Sequence, residues 1–389
     1  MIPRLLSSAT ACTFALSVMA APIRADDTIV IGFGGDLTGA LAFYDGLSKN
    51  GAQMAVDEIN AAGGIAGQYK IDLQVKDVLS EASAPEAAGR AFVAAGAKAL
   101  IAPCDRNTAV AFSRPAQQAG TPIVAPCAST PTLAATVGNF MFQIYPADNL
   151  QAAALARFAH EHGYRRAYIL QPDTPDTEQL PAYFAEAFEK MGGMLAGKGS
   201  YASGQQDFGD VVADIKNLDP KADVIMTAAS EPEFPIFISQ LRAGGVTTPV
   251  LGTDAIESPT TLALGDVAEG VVYTSAAYPR AGSPLETRDY AARFGGDPQT
   301  DVAPYAATAY EAIKLIEAAI VRAGNIDGAA LRNALNGITN FEGITGSRIT
   351  LAGANRIALR DVALIRVEKG KAVLVKTLQP DPADVPGPR

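Results

Sequence analysis

The chain has 389 residues, of which 48% are hydrophobic and 19% are charged, and its formal net charge is −10. That length suits two globular domains, and the composition excludes a disordered, collagen-like or coiled-coil chain. The negative charge argues against a nucleic-acid or anionic-membrane partner, and two His with three scattered Cys provide no Cys/His metal cluster.

The first 25 residues have the pattern of an export signal. Arg4 precedes an apolar stretch from Leu5 to Ala21 that ends in small residues. We place signal-peptide cleavage after Ala25, with Ala20 as the other candidate. A lipoprotein site at Cys12 is disfavoured because the apolar run before it is short, and a membrane anchor is disfavoured because the whole run falls below the ~20 residues that a spanning helix needs.

From Thr28 onward, short β-branched segments alternate with longer amphipathic ones, which is the pattern of βαβ units and a mostly parallel sheet. The predicted elements of the first unit are strand Thr28 to Gly34, helix Tyr44 to Ala62, strand Ile71 to Val78, helix Glu86 to Ala95, strand Ala99 to Ala102, helix Thr108 to Ala119 and strand Ile123 to Ala125.

After Asp148 the same alternation restarts and predicts a second α/β unit. Its predicted elements are helix Leu150 to His162, strand Ala167 to Leu170, helix Glu178 to Met191, helix Phe208 to Leu218, strand Val224 to Thr227, helix Phe234 to Ala243 and strand Pro249 to Gly252.

The later elements are too few to form a third core, so we expect them to return to the first two units. They are helix Tyr305 to Ala323, helix Ala329 to Leu335, and strands Arg348 to Leu351 and Val362 to Val367. The segment Pro380 to Arg389 contains four prolines and is predicted to be an uncoupled tail.

The sequence carries no recognisable catalytic grouping. The Gly-rich turn after the first strand lacks the third glycine of a dinucleotide site, because Leu37 stands there, and no phosphate-loop Lys follows. No Gly-x-Ser-x-Gly elbow occurs, and His160 and His162 lie near the polar end of one helix. We expect a binding protein rather than an enzyme, with no cofactor.

Open α/β sheets bind ligands outside the carboxyl ends of their strands, so the loops that follow the predicted strands are where a site is expected. Those loops offer hydroxyl, amide and charged groups, from Tyr44, Arg106, Asn107, Ser129, Thr130, Asp176, Glu231 and Asp254.

Several segments resemble the leucine/isoleucine/valine-binding proteins, which are type I periplasmic solute-binding proteins of ABC transporters. The resemblance rests on Asp36 to Gly39, Tyr44 to Gly46, Gly51 to Ile65, Phe142 to Pro146 and Tyr305 to Tyr310, and it covers nearly the whole chain after the signal segment. It implies an α/β fold of two Rossmann-like lobes joined by a three-strand hinge.

The resemblance also implies how a ligand is held. In that family the carboxylate of an amino acid binds hydroxyls and backbone amides of the first lobe, and its ammonium binds an acid of the second lobe. Tyr44 resembles the cleft aromatic, the loop Cys127-Ala128-Ser129 resembles the carboxylate-binding loop, and Asp254 resembles the ammonium-binding acid. Tyr305 would border the hinge and the pocket.

Three positions depart from the family pattern. Arg106, followed by Asn107, stands where a small hydroxyl residue is common, Asp176 stands where an aromatic often closes the pocket, and Glu231 stands where Tyr is often found. Because Arg106 can bind a carboxylate bidentately and the acids suit an aliphatic side chain poorly, we hypothesise a polar or charged amino acid as ligand. The alternative is that Arg106 pairs with Asp105 or faces solvent, and that Asp176 belongs to a mobile loop with Pro172 to Pro175.

Cys104 and Cys127 follow neighbouring strands of the first lobe. A disulfide is compatible with an exported protein if their Cα atoms lie about 4.4–6.8 Å apart, and two buried thiols are the alternative.

We expect residues 26–146 and 280–341 to form lobe 1, residues 147–279 and 342–378 to form lobe 2, and residues 379–389 to form a flexible tail. The expected protein is a periplasmic, monomeric receptor that delivers a small solute to the permease of an ABC transporter. A ligand-sensing partner of a membrane sensor and, less favoured, an enzyme remain as alternatives.

Overall fold

The computed structural model describes residues 28–39, 41–78, 83–173, 179–278, 304–353 and 355–389. The predicted signal segment and Asp176 lie outside these residues, so the export signal and the part assigned to Asp176 stay predictions. Within the described ranges, no helix is both long and apolar enough to cross a bilayer.

Most strands coincide with the β-branched and aliphatic runs that predict them. The strands are β1 Thr28–Gly35, β2 Lys70–Asp77, β3 Ala99–Ile101, β4 Ile123–Ala125, β5 Met141–Gln143, β6 Arg166–Pro172, β7 Met194–Tyr201, β8 Val224–Thr227, β9 Val250–Gly252, β10 Val272–Ser275, β11 Phe341–Glu342, β12 Arg348–Ile349, β13 Val362–Glu368 and β14 Lys371–Leu378. Strands β5, β7, β10, β11 and β14 were not predicted. Of these, β7 and β14 lie at the two edges of the lobe 2 sheet, where their residues are mostly half-buried or exposed.

The helices agree with the amphipathic segments to within a few residues. They are α1 Ala42–Ala61, α2 Ala84–Ala94, α3 Arg106–Ala119, α4 Leu133–Val137, α5 Asp148–Glu161, α6 Gln179–Lys190, α7 Gly209–Asn217, α8 Glu233–Ala243, α9 Pro259–Ala263, α10 Pro304–Ala323 and α11 Gly328–Asn336. The short helices α4 and α9 were not predicted, because five residues are too few to show helical periodicity.

Lobe 1 is built on a parallel sheet with the strand order β2-β1-β3-β4-β5. Alternate residues of β1, such as Ile31 and Phe33, pack in one core with α1 and α10. Gly51 of α1 lies against α10, where a Cβ atom would stand 1.9 Å from the carbonyl oxygen of Ala306. Glycine therefore permits the close approach of these two helices, and the C-terminal helix α10 belongs to the N-terminal lobe.

Lobe 2 is built on a sheet with the order β14-β13-β10-β9-β8-β6-β7, in which β13 alone runs antiparallel to the other strands. Helices α5 and α6 cover one face, with Phe184 and Phe188 packed on the strands. Helices α7 and α8 cover the other face, where Phe208 and Phe237 form the core. Because both faces are buried, the central strands are almost uniformly apolar.

In the described part of the chain, three crossing segments join the lobes and meet at one buried side chain. Arg360 is 0% exposed, and its Nη1 donates to the carbonyl oxygen of Ile144 at 3.1 Å and to Oε2 of Glu311 at 3.0 Å. Its Nη2 donates to the carbonyl oxygen of Ala276 at 3.1 Å. Ile144 follows β5, Ala276 follows β10 and Arg360 precedes β13, so this hinge ion pair contacts every crossing.

The third crossing lies later in the chain than the sequence predicts. Residues 342–358 were expected in lobe 2, but Ile344, Ile349, Leu351 and Ala358 are buried in the core of lobe 1. Strands β11 and β12 pair as a hairpin, and this hairpin returns the chain to α10 before it crosses at Arg360. Apolar alternation predicts a strand but does not indicate which of two cores receives it.

The C-terminal segment is not an uncoupled tail, and that prediction is wrong. Val385 packs against the core of lobe 2, and the carbonyl oxygen of Pro386 accepts from Nδ2 of Asn149 at 2.8 Å. The backbone N–H of Arg389 donates to the Tyr183 hydroxyl at 2.8 Å. Proline content argues against regular structure, but it does not prevent side chains and carbonyl groups from docking.

Candidate functional site

A cleft of about 280 Å³ opens between the lobes, at the carboxyl ends of β1, β3, β4, β5 and β9. This is the place that the topology of an open α/β sheet favours for a ligand. The cleft is lined by Leu41, Tyr44, Cys104, Asp105, Arg106, Asn107, Cys127, Ala128, Ser129, Thr130, Asp148, Asp254, Ala255 and Tyr305.

The lobe 1 wall is held together by a disulfide and a buried carboxylate. Of the two alternatives for the cysteines, the structure has the disulfide, since Cys104 and Cys127 are bonded with their Cα atoms 4.7 Å apart. The buried Asp45 accepts from the backbone N–H groups of Asp36 at 2.9 Å and Cys104 at 3.0 Å. Burial raises the pKa of Asp45 to about 7 despite those two donors. The loops after β1, β3 and β4 are thus tied to one another.

Arg106 is the first residue of α3, and its neighbour Asp105 caps that helix. Oδ1 of Asp105 accepts from the backbone N–H and the hydroxyl of Thr108, both at 2.8 Å. Arg106 donates from Nη1 to Oδ1 of Asn107 at 3.1 Å, and its Nε is buried without a hydrogen-bond partner among the described residues. Within those residues Arg106 forms no ion pair, so the alternative of an Arg106–Asp105 pair is not what the structure contains.

Two tyrosines, Tyr44 and Tyr305, border the cleft beside the hinge, and the fully buried Tyr145 packs behind them. The rings of Tyr44 and Tyr305 meet edge to face with their centroids 5.1 Å apart, and those of Tyr145 and Tyr305 stack at 5.7 Å. Burial, followed by the nearby charges of Glu231 and Asp254, raises the pKa of Tyr44 to about 12. The phenol of Tyr44 therefore stays neutral, and Tyr44 and Tyr305 offer ring faces and hydroxyl donors to a ligand.

Lobe 2 contributes two carboxylates. Asp254 begins a 3-10 turn after β9 and is 8% exposed, and burial raises its pKa although Tyr145 and Gln151 stand beside it and counteract the rise. Asp148 begins α5, and its backbone N–H donates to the carbonyl oxygen of Ser129 at 2.8 Å. Burial and, to a lesser degree, the charge of Asp254 raise the pKa of Asp148 to about 7, while the Ser129 hydroxyl lowers it.

Two further acids of lobe 2, Glu231 and Glu257, lie near the cleft but do not line it. Glu231 does not line the cleft, because its carboxylate accepts from the hydroxyls of Ser258 and Thr260 within lobe 2. Glu257 is 5% exposed, and neither of its carboxylate oxygens has a hydrogen-bond partner within the described part of the chain. Burial holds the pKa of Glu257 well above its usual range, the nearby Ser275 hydroxyl opposes the rise, and the Asp254 charge adds to it.

The structure brings most of the predicted site residues together around one cleft: Tyr44, Arg106, Asn107, Cys127, Ala128, Ser129, Asp254 and Tyr305. Sequence reasoning missed Asp148 and Glu257. The signal for Asp148 was its position after the loop that follows β5, but β5 is only three residues long and was not predicted. Glu257 lies in a turn and carries no sequence signal.

The chain is similar in sequence to periplasmic solute-binding proteins. A family model described as periplasmic binding protein matches residues 28–372. The chain is 26% identical over 366 residues to the Leu/Ile/Val-binding protein BraC3 of Rhizobium johnstonii, covering 93% of this chain and 97% of that protein.

Solved structures with similar folds bind different ligands. The substrate-binding protein LivJ from Streptococcus pneumoniae, in complex with isoleucine, has a TM-score of 0.79 at 23% identity and covers 91% of this chain and 100% of its own. A solute-binding protein from R. palustris, in complex with 4-hydroxybenzoate, has a TM-score of 0.77 at 20% identity and covers 92% and 98%.

Proposed function

Because the chain belongs to the periplasmic binding protein family and has its type I fold, we propose that it captures an amino acid between its two lobes for uptake by an ABC transporter. The observation that carries this proposal is that Ser129 of lobe 1 and Asp254 of lobe 2 line one cleft. A zwitterion placed between them has a partner for each of its charges.

The roles follow from the chemistry of the lining groups. The backbone amides of the Ser129 loop and the Thr130 hydroxyl can donate to a carboxylate, and Arg106 can add charge-assisted hydrogen bonds. The single proton of the Ser129 hydroxyl can be donated to the ligand in place of Asp148. Asp254 accepts from the ammonium group of the ligand. Because a contact with both lobes is available only when they are close together, ligand binding stabilises the closed conformation.

The cleft suits a small, polar amino acid. Its volume of about 280 Å³ is at the lower limit of the ~300 Å³ typical of sites for drug-sized ligands. BraC3 is named for leucine, isoleucine and valine, but a carboxylate such as Asp148 beside an aliphatic side chain would be desolvated without compensation. A polar or charged side chain avoids that cost.

The family to which the chain belongs is one of exported solute-binding proteins rather than enzymes. We extend this to a periplasmic location after removal of residues 1–25, to a monomeric state, and to an inner-membrane permease as partner. The closed, liganded form is the one that the permease should accept, because only that form presents both lobes in a fixed relation.

A ligand screen tests the proposal. The purified protein, expressed without residues 1–25, is titrated calorimetrically with the common L-amino acids and, as controls, with sugars and 4-hydroxybenzoate. We expect saturable binding of an α-amino acid and a rise in melting temperature by mass action. Binding of the aromatic acid or a sugar, with no amino acid bound, would refute the proposed ligand class.

A further inference from the structure

The charges that line the cleft do not balance around a single zwitterion. Of the described residues in the lining, Asp105, Asp148 and Asp254 are acidic and Arg106 is the one cation. Asp105 is occupied by its hydrogen bonds to the N-terminus of α3. If Arg106 and Asp254 bind the carboxylate and ammonium of an amino acid, Asp148 is left with no opposite charge.

Asp148 does not have the surroundings of a purely structural acid. The structural carboxylate Asp45 accepts two backbone N–H groups, and Glu311 meets a guanidinium, whereas Asp148 faces the cleft with the Ser129 hydroxyl beside it. Within the described residues Asp148 forms no ion pair. The adjoining Asp254 increases the deficit of positive charge around Asp148.

A ligand with a second ammonium group resolves this imbalance. One ammonium would contact Asp254 and the other Asp148, while Arg106 and Ser129 hold the carboxylate. The rings of Tyr44 and Tyr305 border the same cleft and can cover the methylene groups between the charges or stack beneath an ammonium.

We infer that the cleft binds an α-amino acid bearing a second amino group on its side chain, of the ornithine or lysine type, and that Asp148 is the residue that selects it. The inference rests on the proposed function, since it assumes that an amino acid is bound in this cleft. It goes beyond that function in naming the ligand's charge and the residue that recognises it.

The test compares ligands that differ in one group. Lysine and norleucine share a backbone and a four-carbon side chain, and only lysine carries the second ammonium. Calorimetric titration of the full exported chain with both, together with ornithine, 2,4-diaminobutyrate and 2,3-diaminopropionate, measures which spacing of ammonium groups fits. We expect at least one diamino acid to bind ten or more times more tightly than norleucine.

The Asp148→Asn variant separates selection from general binding. We expect it to lose at least tenfold more affinity for the best diamino acid than for norleucine, whereas Asp214→Asn, at an exposed acid on α7, should leave both affinities unchanged. Circular dichroism verifies that each variant is folded. If Asp148→Asn does not fold, the affinities of the wild-type protein for the diamino acids and for norleucine still test the proposed ligand class.

The possible failures are distinguishable. Norleucine or leucine binding as tightly as every diamino acid would overturn the inference and leave the proposed function standing. An unchanged preference in Asp148→Asn would overturn the role of Asp148. Binding of cadaverine with no α-amino acid bound would overturn both the inference and the proposed function.

Discussion

At the hinge, the buried guanidinium of Arg360 meets Glu311 and two backbone carbonyl groups, whereas in the cleft Asp148 and Asp254 have no cationic partner among the described residues. Both regions remove charge from water, which costs free energy unless the charge is compensated. The hinge is compensated within the protein, while the cleft is completed only by a molecule from outside. Burial alone therefore does not distinguish a structural charge from a functional one, but the presence or absence of partners does.

The raised pKa values express the same difference. Burial raises the pKa of Asp148, Asp254 and Glu257. The ionised form of these carboxyl groups is therefore less stable in the empty cleft than it would be in water. A cationic ligand group relieves this penalty, and the relief adds to affinity. Instability of the empty cleft is thus a source of binding free energy.

The largest expected effect comes from breaking the hinge ion pair. Arg360→Met leaves the Glu311 carboxylate buried without its partner, so we expect the free energy of unfolding to fall by about 3–5 kcal/mol. Urea denaturation followed by circular dichroism measures the change. The double variant Arg360→Met with Glu311→Leu should recover part of the loss, and a double variant less stable than the single one would argue against a paired hinge.

Removal of the disulfide distinguishes its contribution to stability from the contribution of the charged residues to ligand selectivity. Cys104 and Cys127 are 23 residues apart, and Cys104→Ser combined with Cys127→Ser should lower the free energy of unfolding by about 2–4 kcal/mol, because the unfolded chain regains loop entropy. Thermal unfolding without reductant measures this loss. The ratio of affinities for lysine and norleucine should stay within about threefold, and loss of that selectivity would mean that the disulfide positions the charges directly.

In the cleft, removing a charge should weaken binding without weakening the fold. For Asp254→Asn we expect ligand affinity to fall by about 2–3 kcal/mol, since the ammonium of the ligand loses its charged partner. The melting temperature of the empty protein should stay level or rise, because a desolvated carboxylate has been removed. Calorimetry and thermal unfolding of the same preparation measure both, and a large loss of stability would place Asp254 with the hinge as a structural charge.

The smallest expected effect is a pH dependence of stability. Asp148 has a pKa of about 7 in the folded protein against 3.8 ordinarily, so ionisation favours the unfolded chain, and stability falls as pH rises from about 4 to about 7. Asp254, Ser129 and Tyr183 face Asp148 from neighbouring elements.

In Asp148→Asn, the fall in unfolding free energy between pH 5 and pH 8 should be smaller by more than about 1 kcal/mol. Denaturation series at several pH values measure the slope, and Asp214→Asn provides the control. A slope equal to that of the wild type would show that the pKa of Asp148 is not raised in the folded chain.

Much of this fold could be predicted from local pattern. Strands β4 and β8 have the predicted bounds because both are short, fully buried and apolar, and the resemblance to the leucine/isoleucine/valine-binding proteins is confirmed by the relatives found. Strands β7 and β14 were not predicted in this way, because both are edge strands whose residues are mostly half-buried or exposed, and Gly197 and Gly199 interrupt β7. The third crossing was misplaced because apolar residues at 344–358 fit either core.

Site residues were predicted wherever the strand that precedes them was also predicted. Arg106, Ser129 and Asp254 follow β3, β4 and β9, all of which were predicted, and they line the cleft. Asp148 was missed together with the three-residue strand β5 that positions it. The buried contacts of Arg360 join residues 144, 276, 311 and 360, and no spacing in a single sequence reveals partners so far apart.

The most direct test of the central claim is a crystal structure of the protein with its ligand bound. The account predicts a carboxylate within hydrogen-bond distance of Ser129 and Arg106 on one lobe, and an ammonium group within hydrogen-bond distance of Asp254 on the other. A ligand that contacts only one lobe, or that places no cationic group beside Asp254, would contradict it.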